Sequence, residues 1–282
     1  MKRPVVRVTG AHSPGRGGLR LAATVKESEA LGSMVRLTVD APGWPGALPG
    51  QFALLHPLSS RRFLGRALSI SDERGTELDF LIAPAGEGTR ELCGLSSGSV
   101  IRLLGPLGNG FDLDLVSSAE SRTVLVGGGV GIAPFPLLLS RLAALQTGAV
   151  LALLGFRDAE QAKGAEAVRR VAAGPRGDGI APALEIITED GSTGAAGKVT
   201  DLLKERLLPG DRLAVCGPQA MAREVWRICS AVNGVGAWFS MEADMACGVG
   251  SCHGCVTLLA DGSYVRVCHE GPVFSGEEFY GG

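Results

Sequence analysis

The stretch that decides the fold is Thr123-Val-Leu-Val-Gly-Gly-Gly-Val-Gly-Ile-Ala-Pro134. A short apolar run leads into a glycine-rich turn, and the residues beyond it predict a helix through Ala144. Small residues at such a turn let a dinucleotide phosphate approach the N-terminus of a helix. An ordinary tight turn between a strand and a helix is the alternative. The candidate phosphate contacts are Gly127, Gly128, Gly129 and Gly131.

Downstream of this turn, strand and helix patterns alternate. Strands are predicted at residues 149–155, 183–188 and 212–218, and helices at residues 159–172, 199–207 and 219–231. Such alternation predicts a doubly wound parallel sheet with helices on both faces, in a domain of residues 119–236. Ligands of these sheets bind at the carboxyl ends of the strands. Cys216, Gly217 and Pro218 end one such strand.

Upstream, residues 19–118 contain short strand patterns separated by turn residues. The predicted strands are residues 21–25, 34–39, 51–55, 67–70, 77–82 and 100–104. Short strands at this spacing predict a small antiparallel β barrel. Residues 1–18 end in a run rich in glycine and predict a flexible N-terminal segment.

Two motifs within the predicted barrel carry chemistry. The segment Arg66-Ala-Leu-Ser69 places a cation three residues before a hydroxyl on a strand. The segment Gly86-Glu-Gly-Thr89 is a glycine turn that opens a helix, whose N–H groups and dipole favour a pyrophosphate. Taken singly, the first motif is equally a surface charge on a strand and the second an ordinary turn.

The C-terminal residues 237–282 contain four cysteines spaced as C-x4-C-x2-C-x12-C, namely Cys247, Cys252, Cys255 and Cys268. The first three follow the spacing of plant-type [2Fe–2S] sites, where a fourth thiolate comes from further along the chain. Glycines between them let backbone N–H groups approach the cluster sulfides. A structural zinc site is the alternative, although zinc ribbons use two short cysteine pairs. The segment therefore predicts a small cluster-binding loop or hairpin.

Composition limits the function classes. The chain has 282 residues and a net charge of −2, with 45% hydrophobic and 20% charged residues, which is typical of a globular protein of about two domains. The near-neutral charge suggests no nucleic-acid partner. No apolar run approaches the ~20 residues of a membrane span, and the N-terminus lacks the apolar core of a signal peptide. Seven cysteines without an export signal predict a cytoplasmic protein.

In this order, the motifs resemble the FAD and nicotinamide domains of the ferredoxin-reductase superfamily. That superfamily carries R-x-x-S and G-x-G-T motifs, then G-G-G-x-G-x-x-P and C-G-P-x-x-M loops. The resemblance implies that Arg66 neutralises an FAD phosphate, that Ser69 lies near flavin N5, and that Gly88 and Thr89 hold phosphate. Leu68 stands where plant ferredoxin reductases usually have Tyr. The other implied FAD contacts are Ala67, Leu68, Leu81, Ile82 and Ala83, and NAD(H) is implied at the glycine turn and at Cys216, Gly217 and Pro218.

The cluster segment resembles a narrower family. Met245-Ala-Cys-Gly-Val-Gly-Ser-Cys-His-Gly-Cys255 and Arg266-Val-Cys-His-Glu-Gly-Pro-Val-Phe274 closely resemble the electron-transfer subunits of two-subunit, NAD-linked dihydroorotate dehydrogenases. Gly105-Pro-Leu-Gly-Asn-Gly-Phe111 also matches them. The resemblance implies electron transfer between NAD and an FMN-containing catalytic subunit through FAD and the cluster, in pyrimidine biosynthesis. It also implies a heterotetramer of two subunits each, with the cluster loop at the interface.

Other interpretations stay open on sequence alone. Related flavoprotein subunits pass electrons between NAD(P)H and ferredoxin, hydrogenase or sulfur reductases. A redox-sensing module would bind flavin without turnover, and a zinc-stabilised interaction protein would bind no iron. Arg157 is placed to meet a 2′-phosphate, so the sequence does not decide between NAD and NADP.

Overall fold

The structure is a computed structural model that describes residues 18–117, 121–145, 148–174 and 181–281. The predicted flexible segment 1–18 lies outside the described residues except for its last residue. The described chain folds into two seven-stranded sheets and a two-stranded hairpin. No helix in these ranges is long and apolar enough to cross a membrane.

The first sheet is antiparallel throughout, and its side chains alternate between a buried and an exposed face along the long first strand. The strands are β1 (Leu19–Leu31), β2 (Met34–Asp40), β3 (Phe52–Pro57), β4 (Arg66–Ser69), β5 (Asp72–Arg74), β6 (Glu77–Ile82) and β7 (Val100–Leu107). Their order across the sheet is β4-β3-β7-β1-β2-β6-β5. Helix α1 (Glu87–Cys93) connects β6 to β7 and buries Leu92 in the core.

This sheet curls like a barrel because its two edge strands are consecutive in the chain. Between them, Ile70 N–H donates to Gln51 O (3.1 Å) and Ser71 N–H donates to Asp79 O (2.8 Å). The predicted antiparallel barrel is confirmed, with β5 as an additional strand. The sequence does not predict β5, because Asp72-Glu-Arg74 has no apolar residue and its side chains form ion pairs instead.

The second sheet has six parallel strands and one antiparallel edge strand. The parallel strands are β8 (Thr123–Gly128), β9 (Val150–Phe156), β10 (Ala183–Thr188), β11 (Ala195–Ala196), β12 (Arg212–Cys216) and β13 (Gly236–Ser240). After the hairpin of β14 (Val256–Leu258) and β15 (Tyr264–Arg266), β16 (Val273–Ser275) pairs antiparallel with β13. The order is β11-β10-β9-β8-β12-β13-β16. Every residue of β8 is buried, as expected for a central strand.

Helices cover both faces of the second sheet. Leu125 packs with α3 (Phe135–Ala144) and α5 (Glu166–Ala172) on one face, and Val124 packs with α6 (Val199–Arg206) and α7 (Gln219–Cys229) on the other. The doubly wound prediction is therefore confirmed. The remaining helices are α2 (Leu113–Val116), α4 (Ala159–Ala162), α8 (Gly276–Tyr280) and two 3₁₀ turns, Gly129–Ile132 and Lys163–Ala165.

The C-terminal segment does not stand apart from the second sheet. Strands β13 and β16 both belong to that sheet, and β14 with β15 forms the small hairpin predicted for this segment. The predicted boundary at residue 236 falls on the first residue of β13. Residues 237–281 therefore share a core with the strands before them, with Phe239 and Phe274 buried beside Val215.

Candidate functional site

Arg66 and Gly88 meet beside the first sheet, where β4 passes the first turn of α1. A Cβ atom on Gly88 would stand 2.0 Å from Arg66 Nε and 2.6 Å from its Cζ. Only glycine therefore lets the guanidinium lie against this turn. Thr89 Oγ1 donates to Gly86 O (3.0 Å) and accepts from Gly86 N–H (2.9 Å), which fixes the turn.

A groove of about 680 Å³ opens along Arg66. Glu87 forms an ion pair with Arg62, and Glu91 accepts a hydrogen bond from Ser60 Oγ (2.7 Å). Three arginines and two glutamates line the groove, so its lining carries a net positive charge that suits an anionic ligand. The groove is lined by Ser59, Arg61, Arg62, Phe63, Leu64, Arg66, Glu87 and Glu91.

Sequence reasoning missed Arg61 and Phe63 in this groove. Phe63 is 95% exposed, which is unusual for a phenylalanine and leaves its ring free to stack on a planar ligand. The only signal in the sequence is the run Arg-Arg-Phe shortly before β4. Such a run is also common on ordinary surfaces, so it does not mark a site by itself.

The predicted flavin contacts on β4 and β6 are differently exposed. Ala67, Leu68 and Ser69 are all half-buried on β4. On β6, the side chains of Leu81 and Ile82 are buried in two separate apolar cores. These two residues can contact a ligand only through their backbone. Ala83, just past the strand, is half-buried.

The predicted nucleotide loops meet where the strand order of the second sheet reverses. The chain adds β9, β10 and β11 on one side of β8 and then returns to place β12 on the other side. A Cβ atom on Gly131 would stand 2.5 Å from Cys216 O, and one on Gly128 would stand 3.1 Å from Pro218 Cδ. Such a reversal point is the usual ligand crevice of open α/β sheets.

The other two predicted glycines of this turn lie nearby and have different surroundings. Gly127 ends β8 against α3, where a Cβ atom would stand 2.7 Å from Phe135 Cε2. Gly129 adopts a φ of +56°, a conformation that favours glycine. Arg157, beyond β9 at the same edge of the sheet, is largely exposed and donates from Nε to Asp158 Oδ2 (3.0 Å).

Cys216 is a neutral thiol at this crevice. Burial, followed by the negative charge of Glu242, raises the pKa of the Cys216 thiol to about 12. A thiolate nucleophile at this position is therefore excluded at neutral pH. Glu242 was missed from the sequence because it follows β13, a strand that no local pattern predicts.

The four predicted cluster ligands form two pairs of thiols. Cys252 N–H points to Cys247 Sγ (3.4 Å), and Cys268 N–H points to Cys255 Sγ (3.4 Å). Gly250 N–H adds a third donor, at 3.2 Å from Cys268 Sγ. A [2Fe–2S] cluster takes two protein ligands on each iron, and N–H groups aimed at sulfur tune it. The four cysteines therefore fit this cluster.

The thiols differ in their readiness to ionise. Burial opposes ionisation of Cys247, but the N–H groups of Cys252, Val249 and Ser251 outweigh it and lower the pKa of Cys247 to about 6. Burial raises the pKa of Cys268 to about 12, so its proton leaves only when a metal centre compensates the charge. Within the described ranges, no three Cys, His, Asp or Glu side chains are grouped closely enough to hold one metal ion.

The cluster loop lies directly on the first sheet. Gly248, next to Cys247, would place a Cβ atom 2.9 Å from Leu107 Cδ1 and 3.0 Å from Leu54 Cδ1. Leu54 on β3 is in turn paired with Ala67 on β4. The predicted flavin strand β4 and the predicted cluster ligands are thus separated only by strand β3.

The loop Gly105–Phe111 holds the other end of the cluster segment. Asn109 N–H donates to Gly271 O (2.6 Å), and the Asn109 side-chain amide donates to Glu270 O (2.9 Å). This contact ties the loop to the cysteine segment.

Comparison with known proteins identifies the family. The model for the iron–sulfur cluster binding domain of dihydroorotate dehydrogenase B matches residues 242–280, and that for an oxidoreductase NAD-binding domain matches residues 125–227. The dihydroorotate dehydrogenase B (NAD(+)) electron transfer subunit of Listeria monocytogenes is 33% identical over 90% of this chain and 96% of that protein. The subunit of Bacillus velezensis is 37% identical over 82% and 86%. The chain belongs to the family of dihydroorotate dehydrogenase B electron transfer subunits.

Solved structures support the fold of this electron transfer subunit. An NADH-dependent reduced ferredoxin-NADP oxidoreductase superposes with a TM-score of 0.75 at 23% identity, over 90% of this chain and 88% of that one. A ferredoxin NADP+ reductase from Neisseria gonorrhoeae superposes with a TM-score of 0.62 at 17% identity, over 76% and 91%. The predicted ferredoxin-reductase fold is thus confirmed, and family membership favours the dihydroorotate dehydrogenase interpretation over the others.

Proposed function

We propose that this chain carries electrons between NAD(H) and an FMN-containing dihydroorotate dehydrogenase catalytic subunit, as a step of pyrimidine biosynthesis. When bound, NAD(H) and FAD supply two-electron chemistry, FAD also supplies one-electron chemistry, and a [2Fe–2S] cluster supplies one-electron chemistry. The observation that carries the proposal is the paired set of four thiols packed on the first sheet, one strand away from Ala67.

The residues of the first sheet are suited to hold FAD. Arg66 presents a guanidinium at the turn of Gly88, and its positive charge favours a phosphate there. Ser69 lies at the end of β4, one strand away from the cluster loop, and presents a hydroxyl that can donate a hydrogen bond. We assign the flavin to this strand and the phosphates to the groove beside Arg66.

The residues of the second sheet are suited to hold NAD(H). Gly128 and Gly131 let the turn after β8 pack closely against Cys216 and Pro218 at the end of β12, and we place the dinucleotide phosphate at this turn. Cys216 stays protonated beside this turn and adds no charge.

The hairpin beside the cluster is suited to contact the catalytic subunit. Cys252 is exposed. Val256, Leu258 and Tyr264 are 40%, 52% and 70% exposed and share the outer face of β14 and β15. An exposed apolar face next to an exposed cluster ligand marks a place for a protein partner. We place the interface here, within a cytoplasmic heterotetramer of two subunits each.

Coupled turnover tests the proposal. The chain is co-expressed with the FMN-type dihydroorotate dehydrogenase subunit of the same genome, and NADH formation from dihydroorotate and NAD is followed. We expect turnover that is lost in Cys252→Ser and kept in Cys93→Ser, a cysteine at the end of α1 and outside the cluster. No turnover in the assembled complex, with flavin and iron present, would contradict the proposed partner.

A further inference from the structure

Arg266 contacts the cluster loop from the end of the hairpin. Arg266 Nη1 donates to Gly250 O (3.1 Å), and Gly250 N–H donates to Cys268 Sγ (3.2 Å). Gly250 has a φ of +77°, and a Cβ atom there would stand 3.1 Å from Arg266 Nη1. The guanidinium thus binds the carbonyl oxygen of Gly250, the same residue whose N–H reaches Cys268 Sγ.

Glu270 braces this guanidinium from the other side. Glu270 Oε2 accepts from Arg266 N–H (2.7 Å) and from Arg266 Nε (3.1 Å), and Glu270 Oε1 accepts from Arg266 Nη2. The two residues flank Cys268 in sequence, and Asn109 holds the backbone of Glu270. These contacts fix the orientation of the Arg266 guanidinium, so that its Nη1 faces Gly250 O.

We propose that Arg266, braced by Glu270, is a positioning residue that holds Gly250 N–H on Cys268 Sγ and thereby raises the reduction potential of the cluster. Hydrogen bonds to the sulfurs are among the factors that set the potential of an iron–sulfur cluster. A donor aimed at sulfur stabilises the reduced state more than the oxidised state, because reduction adds negative charge. The inference rests on the proposed cluster site.

The test is a redox titration of the complex with its catalytic subunit, followed by EPR of the reduced cluster. We expect a lower midpoint potential and a changed EPR spectrum in Arg266→Gln. Arg266→Lys keeps the charge, but one ammonium cannot span Gly250 O and both oxygens of Glu270, so it should shift in the same direction. Arg102→Gln is the matched control, since Arg102 is an exposed arginine of β7.

Each outcome decides the inference. A wild-type potential in Arg266→Gln would overturn it. A wild-type potential in Arg266→Lys would also overturn the positioning role, because it would show that the positive charge alone sets the potential. If Arg266→Gln loses its iron, Glu270→Gln decides, because it keeps the guanidinium and weakens the brace. Loss of the carboxylate charge alone would raise the potential, so a lower potential supports positioning, and an unchanged or raised potential overturns it. Absence of iron and of an EPR signal in the wild-type protein would contradict the proposed function instead.

Discussion

At the scale of single residues, a missing side chain decides where a charge can lie. Gly88 leaves the space that the Arg66 guanidinium fills, and a methyl group would overlap with Nε at 2.0 Å. A guanidinium in this position can form charge-assisted hydrogen bonds with phosphate, which are among the stronger polar interactions in proteins. The residue without a side chain is thus as important for the proposed FAD site as the arginine.

Gly88→Ala should weaken FAD binding at least tenfold, about 1.4 kcal/mol, because Arg66 is displaced. Fluorescence titration of the apoprotein with FAD measures this. Gly86→Ala is the control, since a Cβ atom on Gly86 in the same turn meets no heavy atom within 4 Å. Equal affinities of the two variants would contradict the phosphate role of Arg66.

At the scale of elements, the cluster loop and the hairpin are placed by contacts with elements distant in sequence. The loop rests on β3 and β7 through Gly248, and the hairpin turns Val265 toward the core while Leu258 and Tyr264 face outward. The loop therefore connects the predicted cluster ligands to the first sheet, and the hairpin carries the surface proposed for the partner.

Gly248→Ala should slow electron transfer from flavin to cluster several-fold and leave flavin reduction by NADH unchanged. The added methyl group pushes the loop away from Leu54 and Leu107. Stopped-flow absorbance of flavin and cluster separates the two steps. Gly262→Ala is the matched control, because Gly262 also has a positive φ but no heavy atom near its Cβ position. Both variants should lose about 1–2 kcal/mol of stability to backbone strain. A similar slowing in both variants would show that strain, not contact, is responsible.

Leu258→Glu should weaken association with the catalytic subunit at least tenfold, about 1.4 kcal/mol, since the interface would bury a charge. Biolayer interferometry with the purified catalytic subunit measures the affinity. Leu145→Glu on the second sheet's side is the control, because Leu145 and Leu258 are both 52% exposed. Unchanged affinity in Leu258→Glu would place the interface elsewhere.

At the scale of the whole molecule, a few polar contacts join the first sheet to the helices of the second. Leu137 N–H donates to Ser71 O (2.6 Å). Glu29 on β1 binds Arg170 on α5 through two hydrogen bonds of 2.6 and 2.7 Å. These contacts set how the proposed flavin and nicotinamide sites face each other, so they bear on the electron path.

Glu29→Gln should lower stability at neutral pH by about 0.5–1 kcal/mol, since the pair is partly exposed and screened by solvent. The hydrogen bond from Arg170 is the main factor that lowers the pKa of Glu29 below 4.5. The contribution of this carboxylate is therefore fully present above pH 4.5 and is lost as pH falls through the lower pKa of the folded state. Urea unfolding at pH 7 and at pH 3.5 should show a smaller deficit of the variant at pH 3.5 than at pH 7. An equal deficit at both pH values would contradict the ionic origin.

Much of the architecture could be predicted from local patterns. The alternation after Thr123 predicts the second sheet, because each strand and helix carries its own periodicity. The cysteine spacing predicts the cluster ligands, since three of them lie within nine residues, from Cys247 to Cys255. Strands β5, β13 and β16 could not be predicted, because they exist through pairing with β6, β12 and β13, respectively, rather than through their own composition.

The sequence by itself therefore determined the order of the two sheets, the candidate loops for phosphates and the four cysteines predicted as cluster ligands. Only the tertiary structure decided which of these residues meet: Arg66 with Gly88, Gly248 with Leu54, and Arg266 with Gly250. The physical reason is that periodicity and spacing act between near neighbours in the chain. The distance between a guanidinium and a distant peptide depends instead on how whole sheets pack.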